Sequence, residues 1–587
     1  MFVLGISCFY HDAAAALLKD GKLVAAAEEE RFNRQKHCNT FPSLAIAYCL
    51  GEAGITIDQV DHIVFYEKPL PKFARILETV LAEWPRSYPL WIRSVPLWMT
   101  TKLDHRRLFR RALGTRKPIL FCAHHTSHAA SAFLASEFDE AAILTADGVG
   151  ESTTTTWGTG RGATIALTHE IRFPHSIGLL FSALTAYLGF RVNDAEWKVM
   201  GLAPYGRPRY LNEFRRVVDV RPDGSFRLNL DYFAYCYSTR HMFNRRWESL
   251  FGQPARRPEA PLAEFHADMA HSGQKIVEEM LLGIARHMRA ETGLRNICIA
   301  GGVGLNSVAN WRILREAGFD RIFIQPAAGD SGGALGAALY IYNTVLGQPR
   351  RFVMQHACYG PSFTDEQIAA MLARSGICAR RIQREEDLLR EAAGWIADGK
   401  VVGWFQGRME FGPRALGSRS LLADPRNAKT KEIINAKVKF REWFRPFAPS
   451  VLKECATEYF DMPAGLDAPF MLLVPLVRPE KRGIIPAVTH EDGSGRVQTL
   501  TEEQNGRYYR LVRAFGQLTG VPVVLNTSFN VRGEPIVCTP EDAYRTFANT
   551  GIDVLVLGNH VVTEKTAPVD FDAGRRRSVQ LEQVALI

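Results

Sequence analysis

His124 and His128 stand four residues apart in CAHHTSHAASAF (122–133), and that spacing is the first chemical signal in the chain. On a helix, positions i and i+4 share a face, so both imidazoles can reach one ion. Neutral imidazole suits iron, zinc, nickel and copper; added carboxylates shift the preference toward iron(II) or manganese. Asp147, at a bend after AAILTA, and Asp330, at the loop-to-helix turn of AAGDSGGALG, complete a metal set of His124, His128, Asp147 and Asp330. An isolated H-x-x-x-H is more often structural, but an aspartate at each neighbouring turn reverses that balance. His125 points elsewhere on such a helix and reads as a packing residue or as a support behind the ligands.

Two other groupings carry chemistry. His11 and Asp12 sit at the bend after FVLGISCFY, and EEERFNRQKH brings Lys36 and His37 after an acidic strand end. A base near an incoming hydroxyl and a cation near a transferred group are what acyl-type transfer requires. A capped turn followed by a solvated basic helix is the plainer alternative, and it stays open. The stretch 407–450 interleaves Arg408, Arg414, Arg419, Arg426, Lys437, Lys439, Arg441 and Arg445 with Gly, Pro and Phe. A solvated face would carry balancing acids and few aromatics, so these cations are expected to line a partly buried anion pocket, where guanidinium recognises phosphate in a bidentate way. VLNTSFN (524–530) ends a buried strand with Asn526, Ser528 and Asn530 alternating on one face, and THEDGSGRVQT (489–499) is a candidate loop over the same pocket. Gly301, Gly302 and Asn306, in NICIAGGVGLNSVANW, follow a buried strand; glycines there let backbone N–H groups approach a nucleotide phosphate.

The elements that must hold these residues form a repeat. FVLGISCFY, AAAALL and LVAAAEEE read as three strands with His11-Asp12 at the first bend; AAILTAD, STTTTWGTG and ATIALTHEIRF repeat the plan with Asp147 at the equivalent bend. The fold class expected is α/β, a duplicated actin-like (ribonuclease-H-like) unit over 1–350 with a cleft between its halves. A linker at 351–363, a second α/β unit over 364–570 and a polar tail over 571–587 follow. Length, 587 residues, exceeds one core. Net charge of +9 is mild, and clusters such as HRRLFRR (105–111) and GRRRS (574–578) read as solvated faces, not a nucleic-acid footprint. The ten cysteines fall singly, with no C-x-x-C pair, which argues for a reducing, cytoplasmic setting. The start carries no basic leader and no run of 18 apolar residues exists, so neither a signal peptide nor a membrane span is expected. WPRSYPLWIRSVPLWM (84–99) reads as a packed aromatic loop.

On these residues the chain resembles the ATP-dependent O-carbamoyltransferases of antibiotic and nodulation-factor biosynthesis, nearly end to end. The blocks that carry the likeness include FYHDAAAALLKDGKLVAAAEEERFNRQKH, HHTSHAASAF, TADGVGE, FRVNDAEWKVMGLAPYG, AGGVGLNSVAN, GDSGGALGAAL, GRMEFGPRALGSRSLLADPR, VKFREWFRPFAPSVL and VVLNTSFN. The resemblance implies an N-terminal domain like the threonylcarbamoyl-transferase of tRNA, and a C-terminal YrdC-like domain. It implies that carbamoyl phosphate and ATP, with magnesium, give carbamoyl-adenylate and pyrophosphate at Arg414, Arg419, Lys439, Arg445 and Ser528, joined by Asn526 and Asn530. The adenylate then reaches a second chamber where a metal, iron(II) in relatives, is held by His124, His128, Asp147 and Asp330, with His11, Asp12 and Lys36 around the carbamoyl group. A small-molecule hydroxyl is the acceptor expected, with no nucleic-acid or membrane partner; a homodimer is left open. Carbamoylation of a macromolecule (tRNA or a protein cysteine) and an actin- or chaperone-like ATPase are the rival readings. Segments 84–99 and 207–260 match no motif of the family and are the expected acceptor-specific parts.

Overall fold

The computed structural model describes residues 1–99 and 103–565, so the tail 571–587 and its GRRRS cluster lie outside the described residues. Its first unit holds two five-stranded sheets of the same topology. In the first, strands β1 (Phe2–Ser7), β2 (Ala14–Lys19) and β3 (Lys22–Glu28) form an antiparallel meander, and β4 (His62–Phe65) and β5 (Ile119–Phe121) add in parallel beside β1, giving the order β3-β2-β1-β4-β5. In the second, β6 (Glu140–Ala146), β7 (Thr153–Arg161) and β8 (Thr164–Arg172) repeat the meander. A small hairpin of β9 (Val218–Val220) and β10 (Phe226–Leu228) intervenes before β11 (Asn296–Ala300) and β12 (Arg321–Ile324), which give the order β12-β11-β6-β7-β8. The duplicated α/β plan expected from the sequence is therefore the observed one.

The helix that follows the last strand of each sheet occupies the equivalent place in the repeat. His124–Phe133 (the histidine helix) follows β5, and Asp330–Leu339 (the aspartate helix) follows β12. The first is rich in Ala and Ser and the second in Gly and Ala, which lets them cross in close contact between the sheets. A Cβ on Gly336 would lie 1.8 Å from the Ser127 carbonyl oxygen, and one on Gly5 of β1 would lie 1.9 Å from that of Ala334. Small residues at this crossing let the helix N-termini, and so His124, His128 and Asp330, converge.

Between Val345 and Asp365 the chain carries no helix or strand. Beyond it, β13 (Arg380–Arg381), β14 (Val402–Phe405), β15 (Arg419–Ala423), β16 (Ala448–Leu452), β17 (Gln498–Leu500), β18 (Val523–Ser528), β19 (Val554–Leu557) and β20 (His560–Val562) build one mixed sheet in the order β13-β20-β19-β14-β15-β18-β16-β17. Its buried Val, Leu and Phe strands pack helices Glu385–Ala397 and Arg507–Thr519 on one face through Leu388, Ile396, Leu511 and Phe515. Each such fully buried side chain contributes about 1.5–3 kcal/mol.

The two units are tied by side chains beside the motifs. Arg31 donates to the Gly412 carbonyl (2.7 Å), Gly412 N–H donates to Glu28 (2.7 Å), and Arg34 donates to the carbonyls of Ile536 (2.6 Å) and Pro535 (2.8 Å). Segment 84–99 differs from its expectation: it contains a helix, Tyr88–Leu97, and Trp84, Trp91 and Ile92 are exposed. No helix among the described residues is long and apolar enough to cross a membrane.

Candidate functional site

His124, His128, Asp147 and Asp330 are all buried, and one ligand atom from each lies within 4.8 Å of the others. Nε2 of His124 is 3.0 Å from Asp147 Oδ2 and 3.1 Å from Nε2 of His128; Nε2 of His128 is 3.6 Å from both Asp147 Oδ2 and Asp330 Oδ1. The outer oxygens are held: Tyr66 hydroxyl donates to Asp330 Oδ2 (2.9 Å), and Gly302 N–H donates to Asp147 Oδ1 (3.1 Å). Burial alone would raise Asp147, but its hydrogen bond to His124 and the nearby His128 imidazole hold it well below the usual carboxylate range. Burial likewise opposes the charged form of His128, whose contacts with Asp147 and Asp330 carry it up to about 9. Two imidazole nitrogens and two carboxylates aimed at one buried point fit a first-row divalent cation. His125 is a packing residue, as expected: Nδ1 meets Thr145 Oγ1 (2.7 Å), Nε2 meets the Thr153 carbonyl (2.9 Å), and burial, with His124 and His128 alongside, lowers it to about 3.

The first-repeat cluster is a chain of polar contacts. His11 Nδ1 lies 2.7 Å from Asp12 Oδ2, Asp12 Oδ1 lies 2.8 Å from His37 Nδ1, and His37 Nε2 lies 2.9 Å from Asp194, which also holds Lys36. His11 Nε2 meets the Asn193 carbonyl at 2.6 Å. Burial would lower His11; the Asp12 hydrogen bond and charge outweigh it and carry the imidazole up to about 10. Asp12, His37 and Asn193 all adopt positive φ, at 41°, 56° and 60°. Strain concentrated at one cluster is a property of functional sites, since surrounding structure must hold it. Asp194 lies within the FRVNDAEWKVMGLAPYG block but is not among the expected site residues, since it sits 158 residues from Lys36.

The second constellation divides. Arg414, Arg441, Arg445 and Arg496 face a common cavity; burial lowers all four, and neighbouring guanidinium groups lower Arg445 and Arg496 further. Arg414 falls to about 10 through burial alone, and Arg441 to about 9. Nε of Arg414, Nε of Arg496 and Nη2 of Arg441 have no hydrogen-bond partner among the described residues. Arg445 stacks 3.6 Å over Trp197. Three of these four guanidinium groups keep an unused donor and the fourth, Arg445, lies 3.9 Å from Glu442, a grouping suited to an anion. Arg496 comes from the 489–499 loop read from the sequence as a cover.

Five expectations are corrected. Arg419 is fully buried on the carbonyls of Gln406 (2.8 Å) and Pro361 (3.0 Å), with its guanidinium 3.6 Å over Phe405; it braces β14 and β15 and does not line the cavity. Arg408 and Arg426 are likewise structural, the first on Val24 carbonyl and Tyr48 hydroxyl (both 3.0 Å), the second on Asp424 (2.7 Å). Lys439 stands behind the cavity wall, donating to Asn530 Oδ1 (2.8 Å) and Ser528 Oγ (3.3 Å), so it shapes that wall without forming it; burial, with Arg441 and Arg445 nearby, holds it well below the usual lysine range. The glycine turn does not offer N–H groups to a phosphate. Gly301 N–H donates to the Ala328 carbonyl (2.8 Å), and Gly302 N–H is spent on Asp147; Gly301, at φ +91°, is required because a Cβ would meet Ala146 carbonyl oxygen at 2.2 Å. Asn306 caps the helix Ser307–Glu316 and pairs with Gln274 (3.0 Å) at the cavity edge. Finally, the two chambers expected are one: a continuous cavity of about 420 Å³ is lined by His11, Lys36, Asp147 and Asp330 at one end and by Arg414, Arg445, Asn526, Ser528 and Asn530 at the other. The domain contacts at Gly412 and Ile536 close its walls instead of dividing it.

A duplicated ribonuclease-H-like unit holds a buried histidine–aspartate quartet beside a cavity lined by arginines, an arrangement suited to group transfer. The Carbamoyltransferase N-terminus family matches residues 2–339 and the Carbamoyltransferase C-terminus family residues 393–564, and the chain belongs to the carbamoyltransferases. It is 49% identical to the Synechocystis protein sll1178 (96% of this chain, 97% of that one). It is 40% identical to nodulation protein NolNO of Sinorhizobium fredii (96% of this chain, 80% of that one), and 41% to nodulation protein NolO of Bradyrhizobium diazoefficiens (76% and 79%). Among solved structures, component A of (R)-2-hydroxyglutaryl-CoA dehydratase from Acidaminococcus fermentans aligns at 13% identity and TM-score 0.32 over 58% of this chain and 97% of that one, a likeness too low to carry argument.

Proposed function

We propose that this carbamoyltransferase makes carbamoyl-adenylate from carbamoyl phosphate and ATP among its arginines and delivers the carbamoyl group to a hydroxyl of a small-molecule acceptor beside the histidine–aspartate quartet. The observation that carries the reading is the continuous cavity, with unneutralised guanidinium groups at one end and the His11–Lys36 and quartet residues at the other.

Atom balance requires water in the first stage. Water splits carbamoyl phosphate to carbamate and phosphate; a carbamate oxygen attacks the α-phosphorus of ATP, the bond to the β-phosphate oxygen breaks, and pyrophosphate leaves. Arg414, Arg441, Arg445 and Arg496 bind the phosphate oxygens and stabilise charge developing on pyrophosphate. Asn526, Ser528 and Asn530 hydrogen-bond the carbamoyl group, on a wall that Lys439 holds in shape. In the second stage the acceptor oxygen attacks the carbamoyl carbon and its bond to AMP breaks. His11, oriented through Nδ1 by Asp12, takes the hydroxyl proton at Nε2 once the acceptor displaces the Asn193 carbonyl, and Lys36 donates to the carbamoyl oxygen. His124, His128, Asp147 and Asp330 would hold a divalent cation, iron(II) as their mixed donor set suits, which supplies charge neutralisation to the AMP phosphate.

Purified protein incubated with ATP, magnesium and carbamoyl phosphate is expected to release AMP and pyrophosphate, resolved by mass spectrometry. ADP as the sole nucleotide product would overturn the adenylate route.

A further inference from the structure

A second constellation of nitrogen and oxygen donors lies far from the cavity in the fold, on the outer edge of the second sheet. His169 comes from β8, the edge strand, while His287 and Glu291 stand four apart on the long helix Glu264–Thr292. The side chains are about one-third to two-fifths exposed, open to an ion from solvent. One Glu291 oxygen is 3.7 Å from His169 Nε2 and the other is 3.6 Å from His287 Nε2. Those gaps are too long for hydrogen bonds. Two ligands of a tetrahedral zinc ion with bonds of about 2.0–2.1 Å sit roughly 3.3 Å apart, so small side-chain shifts close the site on an ion. The approach of His169 is already set: its ring lies flat on Trp157 (interplanar angle 2°, centroids 5.0 Å), and its Nδ1 meets Thr168 Oγ1 at 3.0 Å, leaving Nε2 directed at Glu291. A hydrogen bond on the far nitrogen is the usual support of a ligating imidazole.

We propose that His169, His287 and Glu291 form a surface zinc site with a water in the fourth position. The ion pins the last turns of the 29-residue helix to β8, fastening a sheet edge that carries no further strand among the described residues. Two imidazoles and one carboxylate suit zinc over magnesium or calcium, which prefer all-oxygen shells. The site owes nothing to the carbamoyl chemistry and would stand if that reading failed.

The test uses full-length protein carrying His124→Ala, which removes the buried quartet as a competing site, with the otherwise native chain in parallel. After chelator treatment, equilibrium dialysis against zinc followed by elemental analysis is expected to find one ion per chain in His124→Ala. Adding His287→Ala or Glu291→Gln should weaken that binding by more than about 100-fold, beyond the loss caused by removing an outer-shell partner. Nickel should quench tryptophan fluorescence in His124→Ala, and Trp157→Phe should remove most of the quench while zinc still binds. Should His124→Ala misfold, Glu291→Gln in the native chain is expected to lower the zinc count by one. Zinc binding unchanged by His287→Ala and Glu291→Gln, or absent from folded His124→Ala, would overturn the proposal.

Discussion

The two ends of the cavity are electrostatic opposites. At one, buried ligand atoms of His124, His128, Asp147 and Asp330 converge within 4.8 Å of each other; at the other, Arg414, Arg441, Arg445 and Arg496 crowd together, and their neighbours depress the proton affinity of Arg445 and Arg496. Like charges gathered in a low-dielectric pocket cost free energy unless a ligand of opposite sign completes them. The proposed function gives a cation to the first and a polyanion to the second, with one intermediate meeting both in the shared cavity. The contrast also shows in rigidity. The quartet is fixed by a helix crossing at atomic contact, whereas the arginines reach the cavity from a loop, a π-helical segment's exit and the turn before β15.

The largest effect expected separates the two ends. Arg445→Ala should cut AMP release by about a hundredfold or more, as loss of one charge-stabilising donor does. His124→Ala should leave AMP release near the native rate while carbamoylated product falls about a thousandfold, the several kcal/mol of stabilisation a metal ion supplies. Equal loss of both readings in either variant would break the comparison. Next comes pH. Because the His11 imidazole is raised to about 10 and must be neutral to take a proton, product formed per AMP should climb about tenfold per pH unit through the neutral range and level off near pH 10. A flat ratio would remove His11 as base. A smaller effect, on stability, comes from Gly336→Ala, whose Cβ would strike the Ser127 carbonyl. The loss should be about 1–3 kcal/mol, read by denaturant titration, with a lower affinity for the quartet's cation. Smallest on catalysis is Arg419→Lys. It should lower the unfolding midpoint without changing KM for ATP, whereas Arg414→Lys should raise KM and leave stability nearly unchanged; the opposite pattern would exchange the roles assigned to these neighbours.

Those two arginines also mark how far sequence reading reaches. His124 and His128 were legible because their relation is local to one helix, and Asp147 and Asp330 because the repeat puts each at a strand or loop end. Arg414 and Arg419 share a motif and a residue type; only the tertiary position of Phe405 and the Pro361 carbonyl makes one structural. The AGGVG turn looked like a phosphate loop, but its glycines answer to crowding by Ala146 and its N–H groups to Asp147 and Ala328, which no local pattern records. Asp194 lies in the FRVNDAEWKVMGLAPYG block, but its bridge to Lys36 and His37 was hidden for the same reason, being made only through the closed fold. The repeat itself was readable because two identical meanders need the same alternation of apolar strand and tight bend.

Anomalous diffraction at the iron edge from crystals grown with iron(II) and a non-hydrolysable ATP analogue would test the central claim most directly. The account predicts one strong peak bounded by His124, His128, Asp147 and Asp330, with the analogue's phosphates against Arg414, Arg441, Arg445 and Arg496 in the same cavity. Imidazoles 124 and 128 turned apart with no peak between them, or the triphosphate seated on the quartet and not on the arginines, would contradict it.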